Sequence, residues 1–351
     1  MELFKFGEFI MKNKAICITG GAGQIGSNYL TWLSKNTNYD LICIDNLYGG
    51  YYENISNIKG LFFYLRDAND DLTDIFERHD IKYVYNMAAF AAEGCSPFMR
   101  KFTYTNGLLI NANIINFCIK YSAKLIFLSS MSVYGRNDVP FHEYQPLNPI
   151  DPYAIGKSAS EQDIQVAAEQ HQLKWAIIRP HNVIGRNVNM YDRYRNVLGI
   201  FMRQILNKNP ITIYGDGEQT RAFSWAMDYC PVFLKVAEND YPDPIFNVGG
   251  DEYFTLNEVV SLLLDVVGKP DYPVVHLEPR HEVKDAYCDH TKVKTVVGFE
   301  PKTNLREMLR QMWEWAITQP NRPVKEFEKF ELEDGLYSFW KKEVKVLENV
   351  D

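Results

Sequence analysis

Tyr153-Ala154-Ile155-Gly156-Lys157 sets a phenol and an amine four residues apart, which on a helix means one face and one cleft. A tyrosine is a poor base near its ordinary pKa of about 10. A neighbouring ammonium favours the phenolate and lowers that value, so the pair predicts a phenol tuned to take a proton from a substrate hydroxyl. A second hydroxyl comes from Ser129-Ser130-Met131-Ser132-Val133-Tyr134-Gly135, where an apolar run ends. At the carboxyl end of a strand in an open α/β sheet, a side chain faces the crevice that binds ligands. Ser130 is therefore expected to hold a substrate oxygen beside Tyr153, with Ser129 and Ser132 only ending the strand.

The partner for such a base is written near the start of the chain. Thr19-Gly20-Gly21-Ala22-Gly23-Gln24-Ile25-Gly26 joins a short apolar run to a helical one. Gly21, Gly23 and Gly26 fit G-x-G-x-x-G; Gly20, Gly23 and Gly26 fit G-x-x-G-x-x-G. Either way, glycine lets the backbone turn tightly against a pyrophosphate, and the helix N-terminus offers free N–H groups and a positive dipole end. Asp45, 19 residues beyond Gly26 in Leu41-Ile42-Cys43-Ile44-Asp45-Asn46, ends the second apolar run. A carboxylate there bonds the ribose hydroxyls and repels a 2′-phosphate, selecting NAD over NADP. Asp67 is a further expected contact on the adenine side. A phenolate beside an oxidised nicotinamide predicts removal of a proton and a hydride from one alcohol carbon.

Positioning these groups requires a particular framework. Short apolar runs at Ala15–Thr19, Leu41–Asp45, Leu61–Leu65, Tyr83–Met87, Leu125–Ser129 and Trp175–Arg179 alternate with helical stretches at Gln24–Lys35, Phe102–Lys120 and Tyr153–His171. Near-continuous apolarity suits parallel strands covered on both faces, so the expected fold is α/β, a doubly wound parallel sheet of Rossmann type. The expected division is an N-terminal extension over 1–13, an NAD-binding domain over 14–180, a smaller α/β substrate-binding lobe over 181–320, and a tail over 321–351. Ile245–Gly249 is read as a strand returned to the first sheet. Helices are expected near Leu256–Val267 and Leu305–Ala316, and the tail as a terminal helix or packing arm.

Composition narrows the partners. The 351-residue chain carries a net charge of -8, which gives no basic footprint for nucleic acid. No apolar run approaches the roughly 20 residues that span a bilayer. The six cysteines form no CxxC pair and no metal spacing, so reduced thiols, no metal and a cytoplasmic location are expected. The opening MELFKFGEFIMKNK is too short and too charged for a secretory signal.

The ordered motifs TGGAGQIG, IDN, NMAAF, Tyr104-Thr105-Asn106, SSMSVYG, YAIGK, RPHNVIG and TIYGDGEQTRAFSW, then Arg280–Asp289 before VVGFEPKTNL, resemble the extended short-chain dehydrogenase/reductases. Within them the chain is similar to the NAD-dependent epimerase/dehydratase group typified by UDP-glucose 4-epimerase. The likeness runs from Lys14 to Ala316. It implies an NAD site lined by Gly20, Gly23, Gln24, Ile25, Gly26, Asp45, Asn46, Asp67, Ala68, Ala88, Ala89, Asn106, Tyr153, Lys157 and His181. It implies catalysis by Ser130 and Tyr153, with Lys157 tuning the phenol and holding the nicotinamide ribose. It also implies a nucleotide-diphospho-sugar substrate, a UDP-sugar in the first instance, met by Asn182, Arg221 and Arg280 together with Glu93, Ser130 and Tyr153; guanidinium forks suit phosphate oxygens.

Departures from the family pattern select among its reactions. Sugar 4,6-dehydratases place acidic residues where this chain has Met131 and Ser132, and UDP-glucuronate decarboxylases usually keep a glutamate there. Epimerases at carbons 3 and 5 usually have a cysteine at the position of Ser132. The resemblance therefore implies epimerisation at C4 through a 4-keto sugar. The alternative is a nucleotide-sugar 4-dehydrogenase or reductase with net redox change, favoured by Glu93 in the loop facing the sugar and by His181, which replaces an aromatic. A non-catalytic NAD-binding regulator is the third reading, opposed by the presence of Tyr153, Lys157 and Ser130. Ala222 stands where the family usually has aspartate. Helices Phe102–Lys120 and Tyr153–His171 match those that pair in family homodimers.

Overall fold

The computed structural model describes residues 13–341. The expected N-terminal extension, apart from Asn13, and the last ten residues of the tail lie outside the described residues. The first half runs β1 (Lys14–Thr19), α1 (Gln24–Asn36), β2 (Asp40–Asp45), β3 (Phe62–Leu65), α2 (Thr73–Arg78), β4 (Asp80–Asn86), α3 (Arg100–Tyr104), α4 (Ile110–Tyr121), β5 (Lys124–Leu128), α5 (Pro152–His171) and β6 (Trp175–Pro180). The second half adds β7 (Val183–Ile184), α6 (Val197–Leu206), β8 (Ile211–Tyr214), β9 (Thr220–Ala222), β10 (Ser224–Trp225), α7 (Ala226–Glu238), β11 (Ile245–Val248), β12 (Tyr253–Thr255), α8 (Leu256–Val267), β13 (Val274–Leu277), β14 (Asp285–Ala286), α9 (Leu305–Ala316) and α10 (Ser338–Lys341).

Seven strands form one parallel sheet in the order β11-β6-β5-β4-β1-β2-β3, the Rossmann arrangement extended by one strand. Its strands alternate side chains between two cores, as a period of two requires. Ile16 and Ile18 pack with Tyr29, Leu30 and Phe233 on one face. Ala15 and Cys17 pack with Ile114, Phe117 and Ile164 on the other. A third core of Leu198, Phe201, Val259, Leu263 and Leu309 belongs to the C-terminal half. The expected strand near 245 appears as β11 and pairs with β6.

Two elements differ from the sequence expectation. β4 begins at Asp80, three residues earlier than the apolar run, because β1 pairs Lys14 with Asp80 and Ala15 with Ile81. Pairing recruits residues that apolarity alone leaves out. The single helix expected over 102–120 is interrupted by a π turn at Thr105–Leu109, where Asn106 leaves helical geometry at φ -94° and ψ 35°. Its carbonyl accepts from Phe90 N (2.9 Å) and its side chain donates to Phe102 O (2.9 Å). Such a bulge recurs at functional sites, and here it ties the helix to the loop after β4.

The described part of the tail is an extended arm ending in α10. Phe330, Leu336, Phe339 and Trp340 pack with Phe90, Phe98 and Tyr194. Glu331 accepts from Lys101 N and Phe102 N (2.8 Å each), so the arm is fastened to α3. Among the described residues no helix is long and apolar enough to cross a membrane.

Candidate active site

One cavity of about 500 Å³ opens beyond the carboxyl ends of the strands, where the doubly wound topology leaves its crevice. Gly20, Gly23, Gln24, Ile25, Gly26, Asp45, Asn46, Ala68, Ala88, Ala89 and Asn106 line one part of it; Glu93, Ser130, Tyr153, Lys157, Asn182, Arg221 and Arg280 line the rest. The topology thus brings together all but two of the residues singled out by sequence.

The glycine turn is built by close backbone approach. Gly20 sits at φ +69°, and a side chain there would lie 2.9 Å from the Ala88 backbone. A methyl group on Gly26 would lie 2.6 Å from Gly21 Cα and 2.7 Å from Gly20 O, so the loop closes only with hydrogen at that position. Gly23 stands at the N-cap of α1 and supplies no side-chain cap, which leaves first-turn N–H groups for an anion. Across the turn, Asp45 Oδ2 accepts from Ala22 N (2.9 Å) and Oδ1 from Leu47 N (2.7 Å). Burial raises the Asp45 carboxyl, opposed by those two amides and by Arg195. An uncapped helix end, a backbone-hugging turn and a carboxylate with lone pairs to spare fit NAD.

At the reacting end, Asp151 caps α5 by accepting from Ala154 N (2.9 Å), with Pro152 at the first helical position; both start helices well. Tyr153 and Lys157 therefore project from the first turns of α5 into the cavity. Lys157 is buried, donates to Leu128 O (2.6 Å) and lies 5.9 Å from the Tyr153 ring centre. Burial pushes its ammonium down to about 7, offset in part by Glu161. The expected lowering of the Tyr153 phenol is not what the protein alone shows. Burial and then Glu93 raise it, against a smaller lowering by a hydrogen bond with Ser130. The phenol is buried and faces two carboxylates, Glu93 and Asp151, with only Ser130 and Arg195 favouring its ionised form, while Lys157 donates to Leu128 O.

Ser130 accepts from Ser132 N (3.1 Å) and from the Ser132 hydroxyl (2.9 Å), so Ser132 holds the catalytic candidate in place rather than merely ending the strand. Ser129 instead donates to Glu161, which is paired with the buried Arg179 at 2.5 Å.

The far end of the cavity is acidic as well as basic. Ser96 Oγ accepts from Tyr153 N (3.2 Å) and stands 2.8 Å from Glu93 O and 3.2 Å from Asp151 Oδ1. Glu93 is exposed to the cavity it lines; desolvation by the surrounding protein and then Asp151 push its carboxyl up to about 7, against Arg221 and Arg280. Arg221 spends Nη1 on Thr220 O and Lys284 O (2.8 Å each) and Nη2 on Glu282 and Val283 O (2.9 Å each), so among the described residues only its Nε–H is uncommitted. Arg280 lies 4.3 Å over the Tyr214 ring and 3.7 Å from Glu282, with its buried Nε unpartnered among the described residues.

Two candidates stand elsewhere. His181 does not line the cavity, contrary to its expected place beside the cofactor. It is buried, 2.8 Å from His290 Nε2 and 3.2 Å from Ala222 O, and His290 in turn meets Asp251 at 3.0 Å. Burial and then His290 hold its imidazole down to about 3. Asp67 stands just off the rim, accepting from Asn46 Nδ2 (2.9 Å) and Asn69 N (2.8 Å). Sequence reasoning missed Asp151 and Arg195. Arg195 bonds Asp192 (2.6 Å), lines the cavity and reaches toward Ala89 O (3.4 Å). The capping position ahead of YAIGK was the available signal for Asp151; nothing local marks Arg195.

Residues 16–249 match the family described as the NAD dependent epimerase/dehydratase family. A putative UDP-glucose 4-epimerase of Methanocaldococcus jannaschii is 31% identical over 304 residues, 86% of this chain and 97% of its own length. UDP-glucuronic acid decarboxylase 6 of Arabidopsis thaliana is 27% identical over 318 residues, 88% of this chain and 90% of its own. Among solved structures, the UDP-glucose 4-epimerase of Thermotoga maritima with UDP-glucose superposes with a TM-score of 0.81 at 31% identity, covering 86% of this chain and 98% of that one.

Proposed function

The chain belongs to the NAD dependent epimerase/dehydratase family, and from its site we propose an epimerase that inverts C4 of a UDP-linked sugar through a transient 4-keto form. The observation that carries this is the meeting of Ser130, Tyr153 and Lys157 with the glycine turn and Asp45 in one cavity. NAD, held along that turn, would supply a reversible hydride acceptor for the sugar carbon. Gly20, Gly23 and Gly26 admit its pyrophosphate and Asp45 its ribose. Lys157 holds the second ribose, and Asn46, Ala68, Ala88, Ala89 and Asn106 complete the wall. Tyr153 removes the 4-hydroxyl proton with Ser130 at its side, then returns it. Arg280 holds the diphosphate with its uncommitted edge, flanked by Asn182 and Arg221, while the sugar turns over beneath.

With His181 away from the cavity, one of the two supports for a net dehydrogenase is gone. Incubation with UDP-, GDP-, CDP- and dTDP-sugars tests the choice. Interconverted C4 epimers without accumulating NADH are expected; stoichiometric NADH with a released keto sugar refutes the reading. Tyr153→Phe should lower turnover by roughly 10²–10⁴-fold, the ordinary worth of a positioned acid–base group.

A homodimer through α4 and α5 is part of the proposal. It is supported by Leu109, Ile155 and Val166, large apolar residues exposed by 53%, 43% and 47% on or beside those helices. A monomeric mass by light scattering at micromolar concentration refutes it. Six free, buried cysteines support a reducing, cytoplasmic setting.

A further inference from the structure

We infer that Glu93 makes the sugar end of this cavity an anion-excluding subsite, so that the accepted substrate carries a sugar ring without a carboxylate. The inference rests on the nucleotide-sugar reading above and narrows it to a chemical class.

Glu93 opens the turn after β4 and faces the cavity between the reacting group and the cationic end. Ser96 ties it to Tyr153: one hydroxyl meets the Glu93 carbonyl, the Asp151 carboxylate and the Tyr153 amide. On its other side, a methyl group placed on Gly94 would lie 3.5 Å from Arg280 Nη1. A sugar with its C4 hydroxyl at Tyr153 and its diphosphate at Arg280 must pass Glu93. Three carboxylates, Glu93, Asp151 and Glu282, line or adjoin that span.

The nearby cations, Arg221 and Arg280, favour the ionised Glu93 carboxyl but, with a diphosphate bound, have few hydrogens left to bond a fourth carboxylate. All four Nη hydrogens of Arg221 are taken by Glu282 and three carbonyls. Arg280 has donors to spare, and a bound diphosphate would claim them. A uronic acid therefore brings a further carboxylate among Glu93, Asp151 and Glu282, where the Nη hydrogens of Arg221 are taken and those of Arg280 go to the diphosphate. A sugar seated there displaces the cavity water, and in that drier setting such a contact is weakly screened. The raised Glu93 carboxyl, whose ionised form is already disfavoured by burial and Asp151, is the sign of that crowding. Neutral hydroxyls and a protonated amine, by contrast, can donate to Glu93.

The test compares binding of UDP-glucose and UDP-glucuronate by calorimetry at pH 8, with NAD present, for wild type, Glu93→Gln and Glu93→Ala. Wild type should prefer UDP-glucose by at least tenfold. Both variants should shrink that preference at least fivefold, whatever they do to affinity for UDP-glucose itself. Equal affinity of wild type for the two ligands overturns the inference without any variant. So does a preference that survives in a folded variant. Because the readout is binding, absence of C4 epimerisation would sink the functional proposal and leave this comparison decisive. Failure of UDP-glucose to bind at all overturns both.

Discussion

Replacing Asp45 by alanine should separate cofactor retention from folding. Asp45 is 8% exposed, and each of its oxygens already accepts one backbone amide, from Ala22 at 2.9 Å and Leu47 at 2.7 Å. Ala22 is fully buried, so its orphaned N–H costs about 1–3 kcal/mol; the Leu47 amide can turn to water. For a chain of this size that predicts a fall in Tm of a few degrees. The cofactor loses more. Two ribose hydroxyls bonded to an ionised acceptor are worth about 1.5–3 kcal/mol each, so the loss of both weakens NAD by more than about a hundredfold. Asp45→Asn keeps one acceptor and should fall between. Calorimetric titration of NAD into stripped protein reads the Kd, and scanning calorimetry the Tm. A folded Asp45→Ala variant that binds NAD within threefold of wild type would show that the carboxylate only braces the glycine turn.

Gly26→Ala should abolish NAD retention in a protein that still folds, because the added methyl meets Gly21 Cα at 2.6 Å and Gly20 O at 2.7 Å; NAD released on heat denaturation at wild-type stoichiometry would refute this. Arg179→Met leaves the fully buried Glu161 without its 2.5 Å partner and should cost about 3–5 kcal/mol in urea unfolding, largely recovered by adding Glu161→Leu. A loss under 1 kcal/mol for the single variant would contradict it. Lys157 should leave a signature in pH. Its folded value of about 7 lies below the unfolded value of about 10.4, so between those limits the unfolded chain binds the extra proton. Stability of NAD-free protein should rise with pH across that window, by up to about 1.4 kcal/mol per unit, and gain nothing from this group below it. Lys157→Met should lack the rise, and parallel stability curves for the two proteins would refute the assignment.

Much of the framework was legible locally. Parallel strands buried on both faces read as apolar runs, and six of these runs fall within β1 to β6 to a residue or so at most ends. The exception, β4, gained Asp80 and Lys82 because ladder hydrogen bonds do not depend on side-chain polarity. The phenol and amine of α5 were legible because four residues are one helical turn. What a side chain meets across the fold was not legible. His181 follows a strand end in the right motif, yet its ring turns to His290, 109 residues away.

The same division holds at the site as a whole. Sequence alone determined most strand positions, the glycine turn, the acid at the end of β2 and the Tyr153–Lys157 face, because each is set by backbone geometry within a few residues. Tertiary structure decided the electrostatics: that Glu93 and Asp151 confront the phenol, that the Nη hydrogens of Arg221 are taken while Arg280 keeps donors free, and that Lys157 donates to Leu128 O. Charges act through space over distances that spacing along the chain does not encode, and burial, a property of the whole fold, sets their strength.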